Sequence, residues 1–238
     1  MLDNRPTLSI IIPALCADLE LRRCVDSVRL ACGTDPLRCE VILVMPKTEV
    51  GKARLSISGV NKFATETGRG IYSAMNDGIK QSEGSYLYFV GKDDIVLPNF
   101  ATLLDQLGRE GESAVFFDVY WGKSGAFSGK PSKWTVLVRN FCHQGIIYSR
   151  EVIDEHGPYW RKFRVQADHF LNIRLLWDER FAPSIRYFSG GRVWYAADGF
   201  SSLAKDRLFW RLYPAIAKRF VGAWAGLLII VARRLRGK

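Results

Sequence analysis

The stretch Gly68–Pro98, GRGIYSAMNDGIKQSEGSYLYFVGKDDIVLP, restricts the possible folds of this chain more than any other. Ile71, Ala74, Met75, Gly78 and Ile79 recur at helical spacing, so Tyr72, Asn76 and Lys80 share a second, more polar face. Gly84 breaks that helix. Ser85–Val90 then forms an apolar, aromatic run of strand length, the pattern of a strand covered on both faces, and it ends in Gly91-Lys92-Asp93-Asp94. Two carboxylates therefore stand at the carboxyl end of a buried strand. In open α/β sheets that end borders the ligand crevice, and adjacent carboxylates there suit a hard divalent cation bridging phosphate oxygens. An Asp-Asp pair shortly before Pro98 equally suits turn formation and helix capping.

The segments before this stretch extend the same pattern. Leu8–Ile12 is an apolar strand closed by Pro13, a helix with Leu21, Cys24, Val25 and Val28 on one face starts near Asp18, and Cys39–Val44 is the next strand. Strand, helix and strand in this order form a βαβ unit, so the expected fold is α/β, Rossmann-like, with a doubly wound and mostly parallel sheet. With 238 residues, 48% of them hydrophobic, the chain can bury one substantial core. Five cysteines without a C-x-x-C spacing indicate neither a disulfide framework nor a zinc site. The opening MLDNRPTLS lacks the apolar stretch of a secretory leader.

Downstream, Phe100, Leu103, Leu104 and Leu107 mark a helix and Ala114–Trp121 a strand. Gly122–Lys133 is glycine-rich, polar and basic, which fits either a lid or a surface connection. Phe141–Tyr148 is expected as a strand carrying His143 and Gln144. Asp168 begins a helix with Phe170, Leu171, Leu175 and Leu176 on its apolar positions, where an aspartate is a good N-cap. Ile185–Phe188 and Arg192–Tyr195 suggest two further strands around Gly190-Gly191.

Taken in order, LSIIIPA, GIYSAMNDGI, YLYFVGKDD, CHQGIIYSRE and QADHFL resemble the family 2 inverting glycosyltransferases of the GT-A fold, in particular their bacterial surface-polysaccharide branch, over roughly residues 7–202. Gly199-Phe200-Ser201 resembles the Gly-x-Ser ending of that catalytic domain. The resemblance implies a nucleotide-sugar donor, with Pro13 and Ala14 beside base and ribose and with Tyr72, Asn76 and Lys92 also on the donor side. It places His143 and Gln144 in contact with substrate or diphosphate, makes Asp93 the direct ligand of Mn²⁺ or Mg²⁺ with Asp94 next to it, and makes Asp168 the general base. The sequence departs from the family pattern at four usual carboxylates: Met45-Pro46-Lys47 follows the second strand without an acid, and Gly68, Ser73 and Gly91 replace three others.

Charge separates the far end from the rest. Lys205–Lys238 holds nine Lys or Arg against Asp206, a net +8 of the chain's +10, so the preceding 204 residues carry only +2. No basic surface extends over the expected fold, which argues against a nucleic-acid partner. Phe220–Ala232 is free of charge but too short to cross a bilayer, while Phe209, Trp210, Tyr213, Phe220 and Trp224 alternate with basic residues. Residues 203–238 are therefore expected to form an amphipathic helical tail lying on the anionic cytoplasmic leaflet of an inner membrane, or else a helix that packs on the core or on a second copy. The expected activity is inverting transfer to a lipid-linked or polysaccharide acceptor by residues 1–202. The missing carboxylates leave a second expectation open, a GT-A-like protein that binds a nucleotide sugar or a partner without catalysis.

Overall fold

The computed structural model describes residues 5–122, 125–127, 129–196 and 205–235. In chain order the elements are β1 (Leu8–Pro13), α1 (Leu19–Cys32), β2 (Cys39–Met45), α2 (Lys47–Ser56), β3 (Lys62–Thr65), α3 (Ile71–Gln81), β4 (Tyr86–Phe89), β5 (Ile95–Val96), α4 (Phe100–Leu104), β6 (Ala114–Trp121), β7 (Ala126–Phe127), α5 (Lys133–Val138), β8 (Ile146–Ser149), α6 (Arg150–His156), α7 (Ala167–Trp177), β9 (Ile185–Tyr195) and α8 (Arg207–Leu235).

One sheet runs β3-β2-β1-β4-β8-β6-β9-β5, with β7 paired to β6. Its first four strands are parallel, as the βαβ pattern requires. The other half is mixed: β8 is antiparallel to both β4 and β6, while β9 runs parallel to β6. Alternation of side chains sends Leu8, Ile10 and Ile12 of β1 to the face covered by α1 and α4, and Ile11 to the opposite face. On that opposite face α3, α5, α6, α7 and the first turns of α8 build a second core. Both faces are thus dry, which explains the near-continuous apolar strands. Contact is closest under α3, where a Cβ on Gly78 would come within 2.4 Å of Ile11 Cγ2. Helix α3 therefore lies directly on the sheet, and its N-terminus is brought to the carboxyl ends of β1 and β2.

Three segments differ from their sequence patterns. Cys142 does not continue a strand: His143–Gly145 is a 3₁₀ turn, and β8 begins at Ile146. The two expected strands after residue 185 are one, β9, whose register against β6 shifts between Phe117↔Phe188 and Asp118↔Gly191. Part of the glycine-rich segment after β6 folds back on it, with β7 paired to Val119 and Tyr120, and Asp118 accepting the Gly129 amide at 3.1 Å. Gly199-Phe200-Ser201 lies outside the described residues.

Helix α8 joins the body through its first half. Phe209, Tyr213 and Ala217, four residues apart, are buried in the second core, while Arg211, Lys218 and Arg219 face solvent. The helix breaks at Gly222, whose φ of 78° and ψ of 174° are not helical. Among the described residues no helix is long and apolar enough to cross a membrane.

Candidate active site

The carboxyl ends of β1, β2 and β4 and the start of α7 form one rim. Pro13 and Ala14 end β1, both buried, and the Ala14 amide bonds Val44 O at 2.9 Å. The acid absent after β2 has a neighbour that spacing does not reveal: Glu49, in the first turn of α2, accepts the Ala17 amide at 3.3 Å in the loop after β1. Lys92 reaches away from the strand end to α1, bonding Asp18 and, at 2.9 Å, Glu20. Asp18 itself caps α1. Lys92 thus ties the turn after β4 to the helix after β1.

The acid pair is divided by its surroundings. Asp94 is 1% exposed; its Oδ2 accepts the Gly91 amide at 2.9 Å and its Oδ1 the Ala196 amide at 3.1 Å. Burial, then the Asp93 charge, pushes its carboxyl up to about 7 against those hydrogen bonds. Asp93 is only partly buried, beside it at the same turn. Both carboxylates lean over Gly91, where an added Cβ would meet Asp94 Oδ2 at 2.7 Å and Asp93 Oδ1 at 2.8 Å. A side chain at position 91 would therefore require both carboxylates to shift. Among the described residues no cluster of three or more His, Cys, Asp or Glu could enclose a metal by itself. A donor set of one or two carboxylates completed by substrate phosphates is the usual one for Mg²⁺, and Asp93 with Asp94 meets it.

The second acid is more deeply built in. Asp168 is the second residue of α7 and 6% exposed, and it does not cap its own helix. Its Oδ1 lies 2.7 Å from the Tyr72 hydroxyl of α3, and its Oδ2 accepts the Asn140 amide at 2.6 Å. Asn140 Oδ1 in turn accepts the Phe141 amide and Asn172 Nδ2, and Asn172 Oδ1 accepts the Tyr148 hydroxyl. Tyr72 therefore serves the acid of α7. Burial, with the Asp168 charge, raises its phenol and keeps it protonated. Asn76, one turn along α3, spends its amide on both backbone groups of Tyr159, at 2.9 Å each, and so fixes the segment ahead of α7.

The 3₁₀ turn joins the two acids. Gln144 lies beside Asp94, whose carboxylate it stabilises, and its backbone oxygen accepts Tyr88. His143 faces Asp168, stacks near Phe89 at 5.2 Å and bonds the Tyr159 hydroxyl at 2.7 Å. Burial lowers the His143 imidazole, which favours its neutral form. Two further carboxylates, silent in the sequence, hold the frame. Asp77 of α3 accepts the Thr67 amide at 2.7 Å and pins the loop ahead of its own helix. Asp206 caps α8 through the Phe209 amide and with its other oxygen accepts the amides of Val165 and Gln166. The start of α8 thereby anchors the start of α7.

Acids gathered at the carboxyl ends of a parallel half-sheet, with a mixed half beside it, define the GT-A fold of nucleotide-sugar-dependent glycosyltransferases. A family model described as Glycosyl transferase family 2 matches residues 9–169. A PGL/p-HBAD biosynthesis glycosyltransferase of Mycobacterium bovis is 33% identical over 192 residues, covering 71% of this chain and 69% of that protein. Staphylococcus aureus TarS 1–349 superposes with a TM-score of 0.69 at 14% identity, over 95% of this chain and 70% of that one. The Mycobacterium tuberculosis glucosyl-3-phosphoglycerate synthase, solved with Mn²⁺, UDP and glucosyl-3-phosphoglycerate, gives 0.57 at 17% identity, over 92% and 80%. These structural likenesses are of fold. The chain belongs to glycosyl transferase family 2 and is a glycosyltransferase.

The unequal burial of the acid pair sets a testable order. A folded-state value above that of an ordinary aspartate means that Asp94 favours folding most below about pH 4 and loses that contribution as pH rises through about 7. In metal-free buffer, Asp93→Asn relieves the charge on Asp94 and is expected to raise the melting temperature at pH 8 while leaving it unchanged at pH 4. Asp94→Ala strands the two amides it accepts and is expected to cost about 2–4 kcal/mol. Melting curves of both variants at both pH values check this; a larger loss in Asp93→Asn than in Asp94→Ala would overturn the assignment.

Proposed function

We propose that this chain catalyses an inverting sugar transfer, from a nucleotide-sugar donor to a hydroxyl of a lipid-linked or polysaccharide acceptor in bacterial cell-surface glycan synthesis. The observation that carries this is the single turn, His143–Gly145, which sets His143 near Asp168 and Gln144 beside Asp94. Leaving group and base would thus be served by adjacent residues of one turn. Donor base and ribose would lie over Pro13 and Ala14, with Glu49 nearby as an acid available to their hydroxyls. Asp93, supported by Asp94, would hold Mn²⁺ or Mg²⁺, which supplies positive charge to the diphosphate when bound. Complexes of two solved relatives in fold, the synthase above and a Pyrobaculum calidifontis mannosyltransferase with GDP-Man, contain Mn²⁺, which supports that choice.

Asp168 takes the proton of the acceptor hydroxyl as its oxygen attacks the anomeric carbon from the face opposite the diphosphate. The bond from that carbon to the diphosphate oxygen breaks, and the electron pair leaves with the diphosphate. On the acceptor side the segment leading into Asp168 presents Trp160, 40% exposed and braced by Phe163 and Phe170. Arg161, Lys162 and Arg164 of the same segment are exposed and make no ion pair among the described residues. Lys162 Nζ lies 5.8 Å from the centre of the Trp160 ring, and an aromatic residue among exposed cations suits a sugar joined to phosphate, as in a lipid-linked intermediate. The helix beyond Gly222, apolar up to Arg233-Arg234, would hold the enzyme to the cytoplasmic face of the inner membrane, where each Lys or Arg near an anionic surface contributes about 1 kcal/mol.

Two measurements follow. Purified protein incubated with UDP-, GDP- and dTDP-sugars plus Mn²⁺ or Mg²⁺ is expected to hydrolyse or transfer one donor class, and proton NMR of the product to show the anomeric configuration opposite to the donor's; a retained configuration would exclude the mechanism. Ending the chain after Val221 keeps Phe209, Tyr213 and Ala217 in the core, so the shortened protein is expected to melt like the full chain but to stop pelleting with phosphatidylglycerol liposomes. Equal pelleting of both forms would remove the membrane role.

A further inference from the structure

Asn140 lies on no regular element, between α5 and the 3₁₀ turn, and nothing in the motifs of the chain draws attention to it. Its orientation is nonetheless dictated. The Phe141 backbone N–H can only donate, and it bonds Asn140 Oδ1 at 2.9 Å, so that atom is the carbonyl oxygen and the NH₂ group must be the one that meets Asp168 Oδ2. Asn172 donates to the same Oδ1 at 3.1 Å, and its own Oδ1 accepts Tyr148 at 2.8 Å. Every member of this chain of bonds therefore points its donor toward Asp168. Asn172 is fully buried, which leaves no water to take over its bonds.

The two oxygens of Asp168 are held differently. Tyr72 has one hydroxyl proton and two acceptors at 2.7 Å, Asp168 Oδ1 and Val165 O. When an acceptor hydroxyl approaches Oδ1, the Tyr72 proton turns to Val165 O, and no buried donor is stranded as Oδ1 takes the new proton. The Asn140 bond to Oδ2 is fixed throughout by the partners behind it. The titratable groups facing the carboxylate are Tyr72 of α3, Cys142 and His143 ahead of β8, Tyr148 of β8 and Tyr159 ahead of α7. Burial keeps the tyrosines and the thiol protonated and the imidazole neutral, so none supplies a compensating positive charge at neutral pH.

We infer that Asn140, backed by Asn172 and Tyr148, is the positioning residue that holds Asp168 aimed with Oδ1 toward the acceptor. The inference rests on Asp168 being the base, as proposed above. It states a division of labour: Oδ1 exchanges partners during the reaction, and Oδ2 keeps one.

Asn140→Asp isolates the donated bond, because a carboxylate still accepts from Phe141 and Asn172 but cannot donate to Asp168. Two carboxylates then compete for a proton, and the acid limb of the kcat–pH profile is expected to move up by at least one to two pH units, roughly the worth of one hydrogen bond to a charged group. Donor KM is expected to stay within about twofold. Asn140→Ala, a second variant should the first fold poorly, is expected to lower kcat at pH 7 by about tenfold or more and to shift the same limb in the same direction. Folding of each variant is checked by its melting curve. Profiles superimposable on that of the parent protein, in whichever variant folds, would overturn the positioning role. Full transfer by Asp168→Asn would remove the base reading itself, so the two failures are told apart.

Discussion

A carboxylate removed from water has to be given hydrogen-bond donors, and most of this structure's long-range order is arranged around meeting that need at Asp168. Tyr72 arrives from α3, which can approach because Gly78 lets that helix rest on β1 and β2. Asn140 arrives from the connection between α5 and β8. The helix turn that carries Asp168 is itself held from behind by Asp206, whose carboxylate takes the amides of Val165 and Gln166. Distortion at any of these points leaves a buried carboxylate underpaired, which couples the stability of the second core to the geometry of the proposed base. Asp94 meets the same requirement at β4 with two backbone amides, and Asp93 beside it remains available to a ligand.

This arrangement also explains what could be read from the residues. β1, β2, β4 and the first four residues of β6 are buried on both faces, so each is a near-continuous apolar run of strand length. Helices α1 and α3 show a clear apolar face. Helix α2 buries Ala53 alone, and β3 is four residues with one buried, so neither has a periodic signal to detect. Cys142–Gly145 looked like strand because Phe141 and Cys142 are buried, though from a turn rather than a pleat. β9 reads as two strands because its register shift falls at Gly190-Gly191.

In the site, Asp93, Asp94 and Asp168 stand in recognisable local contexts, a strand end and a helix start. Asn140, Asp206 and Glu49 do not. Their partners lie 28, 41 and 32 residues away, and a residue whose task is to reach across the fold leaves no local spacing to read. Lys92, which the resemblance places on the donor side, shares its ammonium between Asp18 and Glu20 across 74 and 72 residues, contacts equally without a local signal. The tail is likewise two things in one composition, a first half through Val221 that closes the second core and a basic, apolar remainder after the break at Gly222.

The claim that organises this account is that Asp168 removes the acceptor proton and does nothing for donor binding. Donor affinity of Asp168→Asn measured by calorimetry, set against its single-turnover transfer rate, tests it directly. The account predicts an unchanged donor Kd with transfer slowed by about 10²–10⁴-fold, the usual range for a positioned general base. A parallel loss of donor affinity and transfer, or a transfer rate equal to that of the parent protein, would contradict it.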